Sequence, residues 1–84
     1  MTRAFVLISV EPGKEMDAFR GFKRIGGVVE ATPLLGNIDF ILILETNTIN
    51  DIANIIEKVR RIPGVTSTKT LIQDEFLKHF EDLC

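Results

Sequence analysis

Two groups of residues in this 84-residue chain have types and spacing that could do chemistry. The first is Gly36-Asn37-Ile38-Asp39, placed directly before the most apolar run, Phe40-Ile41-Leu42-Ile43-Leu44. Exposed N–H groups in such a loop can hold a carboxylate. Asp39 can accept a charge-assisted bond from an ammonium group. Together they match the two ends of an amino acid. Gly, Asn and Asp are also the residues that a plain hairpin turn favours, so residue chemistry leaves both readings open. The second group is the row Thr66, Thr68 and Thr70. Its hydroxyls would line a strand edge where a loop from another subunit could dock. Threonine is also favoured on half-exposed strands, and that account is sufficient by itself.

No catalytic constellation accompanies them. His79 is the single histidine and Cys84 the single cysteine. His79 reads as a solvated side chain, and Cys84, the last residue, lacks the electropositive setting that activates a thiolate. One of each cannot build a structural zinc site. Gly26-Gly27 follows a helical pattern, whereas phosphate binding wants a helix N-terminus. Glu11, Glu30 and Glu45 stand singly near strand ends. The sequence calls for no cofactor, no metal and no enzymatic role.

Composition narrows the setting. The length fits one domain, here 1–84, with a core over 3–72 and an extension over 73–84. A chain this small has a thin core. With no disulfide or metal to brace it, oligomerisation is the remaining device, and 45% apolar residues can supply an interface. Ten Lys+Arg against twelve Asp+Glu leave no basic footprint for nucleic acid. No signal-peptide pattern opens the chain, and no apolar run approaches the ~20 residues of a membrane span. These features predict a soluble, cytoplasmic protein.

The elements follow from periodicity. Ala4–Val10 is a strand, with Ala4, Val6, Ile8 and Val10 on one face, and Glu11-Pro12-Gly13 ends it. Residues 14–25 form a helix whose stripe is Ala18, Phe19, Phe22 and Ile25. Gly26-Gly27 supplies its left-handed cap. Val28–Leu34 is a second strand, with Val29 and Ala31 on one face; Pro33 places it at an edge. The hairpin loop 35–39 follows, with Gly36 as its positive-φ residue. Phe40–Leu44 is a central strand. Thr48 caps a second helix with stripe Ile49, Ile52, Ile55, Ile56 and Val59, stopped by Pro63-Gly64. Val65–Ile72 alternates, with Thr66, Thr68, Thr70 and Ile72 on one face and Val65, Ser67, Lys69 and Leu71 on the other. Asp74–Leu83 reads as a short terminal helix.

Lys23–Val28 recurs as Arg60–Val65, 37 positions on. Two units of equal length joined by the 35–39 loop give an α+β, ferredoxin-like βαββαβ plan. Its four-stranded antiparallel sheet carries two helices on one face, plus the short C-terminal helix. Both central strands are apolar on both sides, which implies that a second subunit's sheet covers the open face.

The segments Leu35–Phe40 and Ile62–Thr70, with the opening AFVLISVEPGKE, resemble the effector-binding (RAM) domain of the Lrp/AsnC transcription regulators. The resemblance covers Arg3 to Ile72. It implies dimers assembling into octamers or decamers, with amino-acid-like effectors bound between dimers. It also implies a role in transcriptional regulation of amino acid metabolism. By position it implicates Gly36, Ile38 and Asp39 from one subunit and Thr68 and Thr70 from a neighbour. Leu34 and Leu35 are further apolar candidates. Family members usually carry an N-terminal helix-turn-helix. Here two residues precede Arg3, so the resemblance points to a stand-alone version, with full-length Lrp/AsnC regulators as possible partners. Family loops often have an aromatic residue at Ile38 and threonine at Leu35, so the departures leave open a more apolar pocket, one that favours a different side chain, or an empty one. A ligand-free oligomerisation scaffold, a small dimeric αβ-barrel enzyme and an amino-acid-binding ACT domain share the plan. The enzyme reading wants histidines or acids lining a cavity, which the strands scarcely offer.

Overall fold

The computed structural model describes residues 1–74; the expected terminal helix over 74–83, with His79 and Cys84, lies outside the described residues apart from Asp74. The elements run β1 (Thr2–Val10), α1 (Glu15–Lys23), β2 (Val28–Pro33), β3 (Phe40–Thr46), α2 (Ile49–Arg60) and β4 (Val65–Ile72). The sheet order is β2-β3-β1-β4, with every pairing antiparallel. The apolar strands are central and the more polar ones are edges, as their patterns predict.

The β1–β3 ladder fixes which side chains share a face. Ala4 pairs with Leu44, Val6 with Leu42 and Ile8 with Phe40, and all six are buried. Ala18 and Phe22 of α1, with Ile52, Ile55, Ile56 and Val59 of α2, close over them. The Phe22 ring meets Phe40 edge-on at 5.3 Å, and Phe19 stacks on Phe40 at 6.0 Å. Burying each such side chain stabilises the fold by about 1.5–3 kcal/mol.

The internal repeat is structural as well as sequential. At each helix end an arginine, Arg24 or Arg61, closes the last turn. The next edge strand is then entered through a matching bond, Val28 N–H to Ile25 O at 3.3 Å and Val65 N–H to Ile62 O at 3.2 Å. Gly27 and Gly64 carry the positive φ, 92° and 96°. Gly26 does not, and this is why Pro63 can stand at the equivalent position.

Two bulges alter the faces read from strict alternation. Register shifts between Val28 and Glu30 in β2, so Val28 and Ala31 both turn to the core while Val29 is 55% exposed. In β4 the shift falls opposite Ser9/Val10. Thr66 is the extra residue, and Val65 joins the core face instead of the Ser67 face. Ile49, expected in the buried stripe, is 59% exposed at the first position of α2. Thr48 caps α2 as expected, accepting from Asp51 N–H at 3.2 Å.

A Cβ on Gly27 would collide with Ile55 Cδ1 and would have to adopt a positive φ, whereas one on Gly26 meets open space. Gly27→Ala is expected to destabilise the fold by about 1–3 kcal/mol and Gly26→Ala by far less, measured by urea unfolding. Thr48→Ala should cost about 1 kcal/mol in the same assay.

Candidate functional site

The loop between β2 and β3 is held at its far end by Asp39. Asp39 N–H donates to Ile8 O at 2.8 Å, and Asp39 O accepts from Leu34 N–H at 2.8 Å. Its Oδ2 accepts from Val10 N–H, also at 2.8 Å. The last bond spans 29 positions of sequence and ties the loop to the end of β1. Ser9 Oγ donates to Asn37 O at 3.3 Å on the side of the sheet away from the helices. Asp39 therefore positions the loop first, and its Oδ1 has no partner among the described residues. Gly36 has φ 136°, and the N–H groups of Gly36, Asn37 and Ile38 have no partner among the described residues. Leu34 and Leu35 are exposed beside them, and Ile38 is half-buried. The loop thus presents unpaired donors, one carboxylate oxygen and apolar side chains together.

Thr68 and Thr70 are both half-buried, and β4 pairing sets their direction. Thr68 lies opposite Ile8 and Thr70 opposite Val6, so both face the helices. Thr68 Oγ1 accepts from Arg60 Nε at 3.3 Å. Thr66, on the bulge, donates its hydroxyl to Ser9 O at 3.1 Å and stands apart from the other two. A cavity of about 400 Å³ is lined by Arg60 and Val65–Thr68. A second, about 260 Å³, runs between α2 and β4 beside Thr70, Ile52, Ala53, Ile56 and Ile72.

Within one chain, then, Gly36, Ile38 and Asp39 come together, and so do Thr68 and Thr70, but the two groups do not meet. The loop leans on the open side of the sheet and the threonines point to the helix side, with β1 between them. Sequence reasoning missed Arg60. Its place in the last turn of α2 is explained by the helix dipole, and only the fold brings it over Thr68. On the open side, Phe5 pairs with Ile43 and Leu71, and Leu7 with Ile41, as an apolar centre. Arg3 and Glu45 rim it at 3.6 Å.

Asp39→Ala strands the part-buried Val10 N–H and is expected to cost about 1–3 kcal/mol in urea unfolding. Asp39→Asn keeps a carbonyl acceptor and should lose clearly less.

Among the described residues no helix is long and apolar enough to cross a membrane, and no cluster of His, Cys, Asp or Glu is arranged to hold a metal. The family model of the Lrp/AsnC ligand binding domain matches residues 3–82. The HTH-type transcriptional regulator FL11 of Pyrococcus horikoshii is 28% identical over 69 residues, and the match covers 82% of this chain. The chain spans only 46% of that regulator's length. The crystal structure of FFRP-DM1 is 33% identical with a TM-score of 0.82, covering 88% of this chain and all of the other. AsnC of E. coli, 22% identical, shares the fold at a TM-score of 0.78; the match covers 88% of this chain and 52% of AsnC. With the family model matching residues 3–82, this chain belongs to the Lrp/AsnC ligand-binding domain family.

Proposed function

We propose that the chain is a non-catalytic effector-binding module in transcription regulation whose site is completed between copies of itself. Gly36, Ile38 and Asp39 of one copy contribute N–H donors, an apolar contact and a carboxylate. Thr68 and Thr70 of a neighbour contribute hydroxyls. The observation that carries this reading is the separation of the two groups: each is exposed to approach, yet one chain holds them on opposite sides of its sheet. The effector class is amino acids, because the loop offers complements to a carboxylate and an ammonium side by side. The apolar face around Phe5, Leu7, Ile41 and Ile43 supplies a surface for a second sheet. Full-length Lrp/AsnC regulators, built on the same domain, are the natural further partners.

A thermal-shift screen against the standard amino acids tests the reading. At 100-fold its Kd, a ligand should stabilise the protein by about 2.7 kcal/mol. Asp39→Asn is expected to remove that shift while leaving the fold intact; normal binding by this variant would take Asp39 out of the site. Light scattering at micromolar concentration should show at least a dimer, growing with ligand. A monomer under both conditions would exclude a shared site.

A further inference from the structure

β4 ends against an apolar groove. Its last residue, Ile72, lines a cavity of about 260 Å³ between α2 and β4, together with Ile49, Ile52, Ala53 and Ile56. Gln73 N–H donates to Arg3 O at 2.8 Å, so the chain is held up to this point. Ile49, Ala53 and Ile72 are exposed, which leaves apolar area here that the core does not use. Along α2 the lining recurs every three or four residues and so forms one helix face. The small side chain of Ala53 in that face lets another helix come close. At its far end the groove turns basic: Arg60 lines it, Arg61 follows, and Glu57 is the only acid among the lining residues. A further apolar pocket of about 220 Å³, at Met16, Phe19, Pro33 and Phe40, lies over the opposite edge of the sheet and has Glu15 on its rim.

Residues 75–84 carry the complement of this surface in their sequence. Phe76, Leu77, Phe80 and Leu83 recur at helical spacing, and Glu81 and Asp82 stand toward the far end of the segment. A helix this short is marginal alone and gains stability only by burying such a stripe. We infer that residues 75–84 dock as a helix in the α2–β4 groove of their own chain. A helix over them spans about 15 Å, close to the length of α2 from Ile49 to Arg60. Starting beside Ile72, it runs in the direction of α2. Its apolar side chains then face Ile49, Ile52, Ala53 and Ile56, and Glu81 and Asp82 reach Arg60. The pocket at the opposite edge offers neither the reach nor the charge, since Glu15 would repel that acidic end. The docked segment lies over Thr70, which lines the same groove. It therefore competes with a neighbour's loop for β4, a consequence that rests on the effector-binding reading, whereas the docking does not.

Disulfide trapping in the full chain tests this, with the native Cys84 as one thiol. In Glu57→Cys the second thiol faces the groove; in Lys58→Cys, one position on, it points away from it. The geometry that a disulfide demands is narrow. Under mild oxidation Glu57→Cys is expected to form an intrachain disulfide at least about tenfold faster than Lys58→Cys, the gain in effective concentration from docking. Adding Phe80→Asp should abolish that advantage, and adding Lys78→Asp, on the polar face, should leave it. Equal rates in the two cysteine variants, an advantage that survives Phe80→Asp, or a disulfide joining two chains would each overturn the docking, the last by assigning the groove to a second copy. An amino acid that binds the full chain should slow the trapping; trapping unchanged by a bound amino acid would overturn the competition alone. No amino acid binding at all would remove the effector-binding reading, with the docking still decided by the disulfide.

Discussion

The pairing of β1 with β3 is the constraint on which the rest depends. It runs from Thr2 opposite Thr46 to Ile8 opposite Phe40, and its partners are apolar on both sides of the sheet. Helices from both halves of the chain can cover only one side, and they do so through Ala18, Phe22, Ile52 and Val59. The other side leaves Phe5, Leu7, Ile41 and Ile43 half-buried. A small domain has little surplus stability, so apolar area of this kind is a standing force toward association. The same ladder fixes the candidate site. Because Ile8 and Val6 point to the helices, Thr68 and Thr70 must as well. Because Asp39 is bonded to Ile8 and Val10, the loop must stand at the end of β1.

Much of this was legible from periodicity. Period two in β1 and period near four in both helices place ten of the buried core side chains correctly on their faces, with Phe19 and Ile25 packed against them. These rules see only local spacing. They failed where a bulge inserts one residue, at Val29 and at Thr66, since a single extra residue reverses every face before it. They also failed at Ile49, which keeps the helical spacing of the stripe yet is 59% exposed at the first position of α2. The repeat was a stronger signal than any one element. Gly27 and Gly64 share their φ, their bond pattern and their role because each turns a helix into an edge strand across the same geometry. Their neighbours Gly26 and Pro63 differ because that position needs only an ordinary φ.

The site was legible by residue type and not by arrangement. Gly36 and Asp39 stood out as a loop with donors and a carboxylate. That Asp39 spends one oxygen on Val10 could not be read from sequence, since the bond crosses 29 positions. The finding changes the weight of the residue: it must first hold the loop against β1 and only then meet a ligand. Arg60 shows the converse case. Its position at the end of α2 has a sufficient local explanation in the helix dipole, and nothing local hints that β4 will bring Thr68 within 3.3 Å.

A site divided in this way has a thermodynamic consequence. In the proposed arrangement the loop of one copy and β4 of another meet only when copies associate. A ligand held between them then binds the assembled state and not the separated one. By linkage, the factor by which the ligand favours assembly equals the factor by which assembly favours the ligand. Loop bonds made inside one chain reinforce this, because Asp39 and Asn37 are already fixed by Val10 and Ser9 before a neighbour arrives. Less ordering is left for the moment of contact, so more of the contact energy appears as coupling. Ligand concentration would thereby be read out as the extent of assembly, with no change of fold inside the subunit.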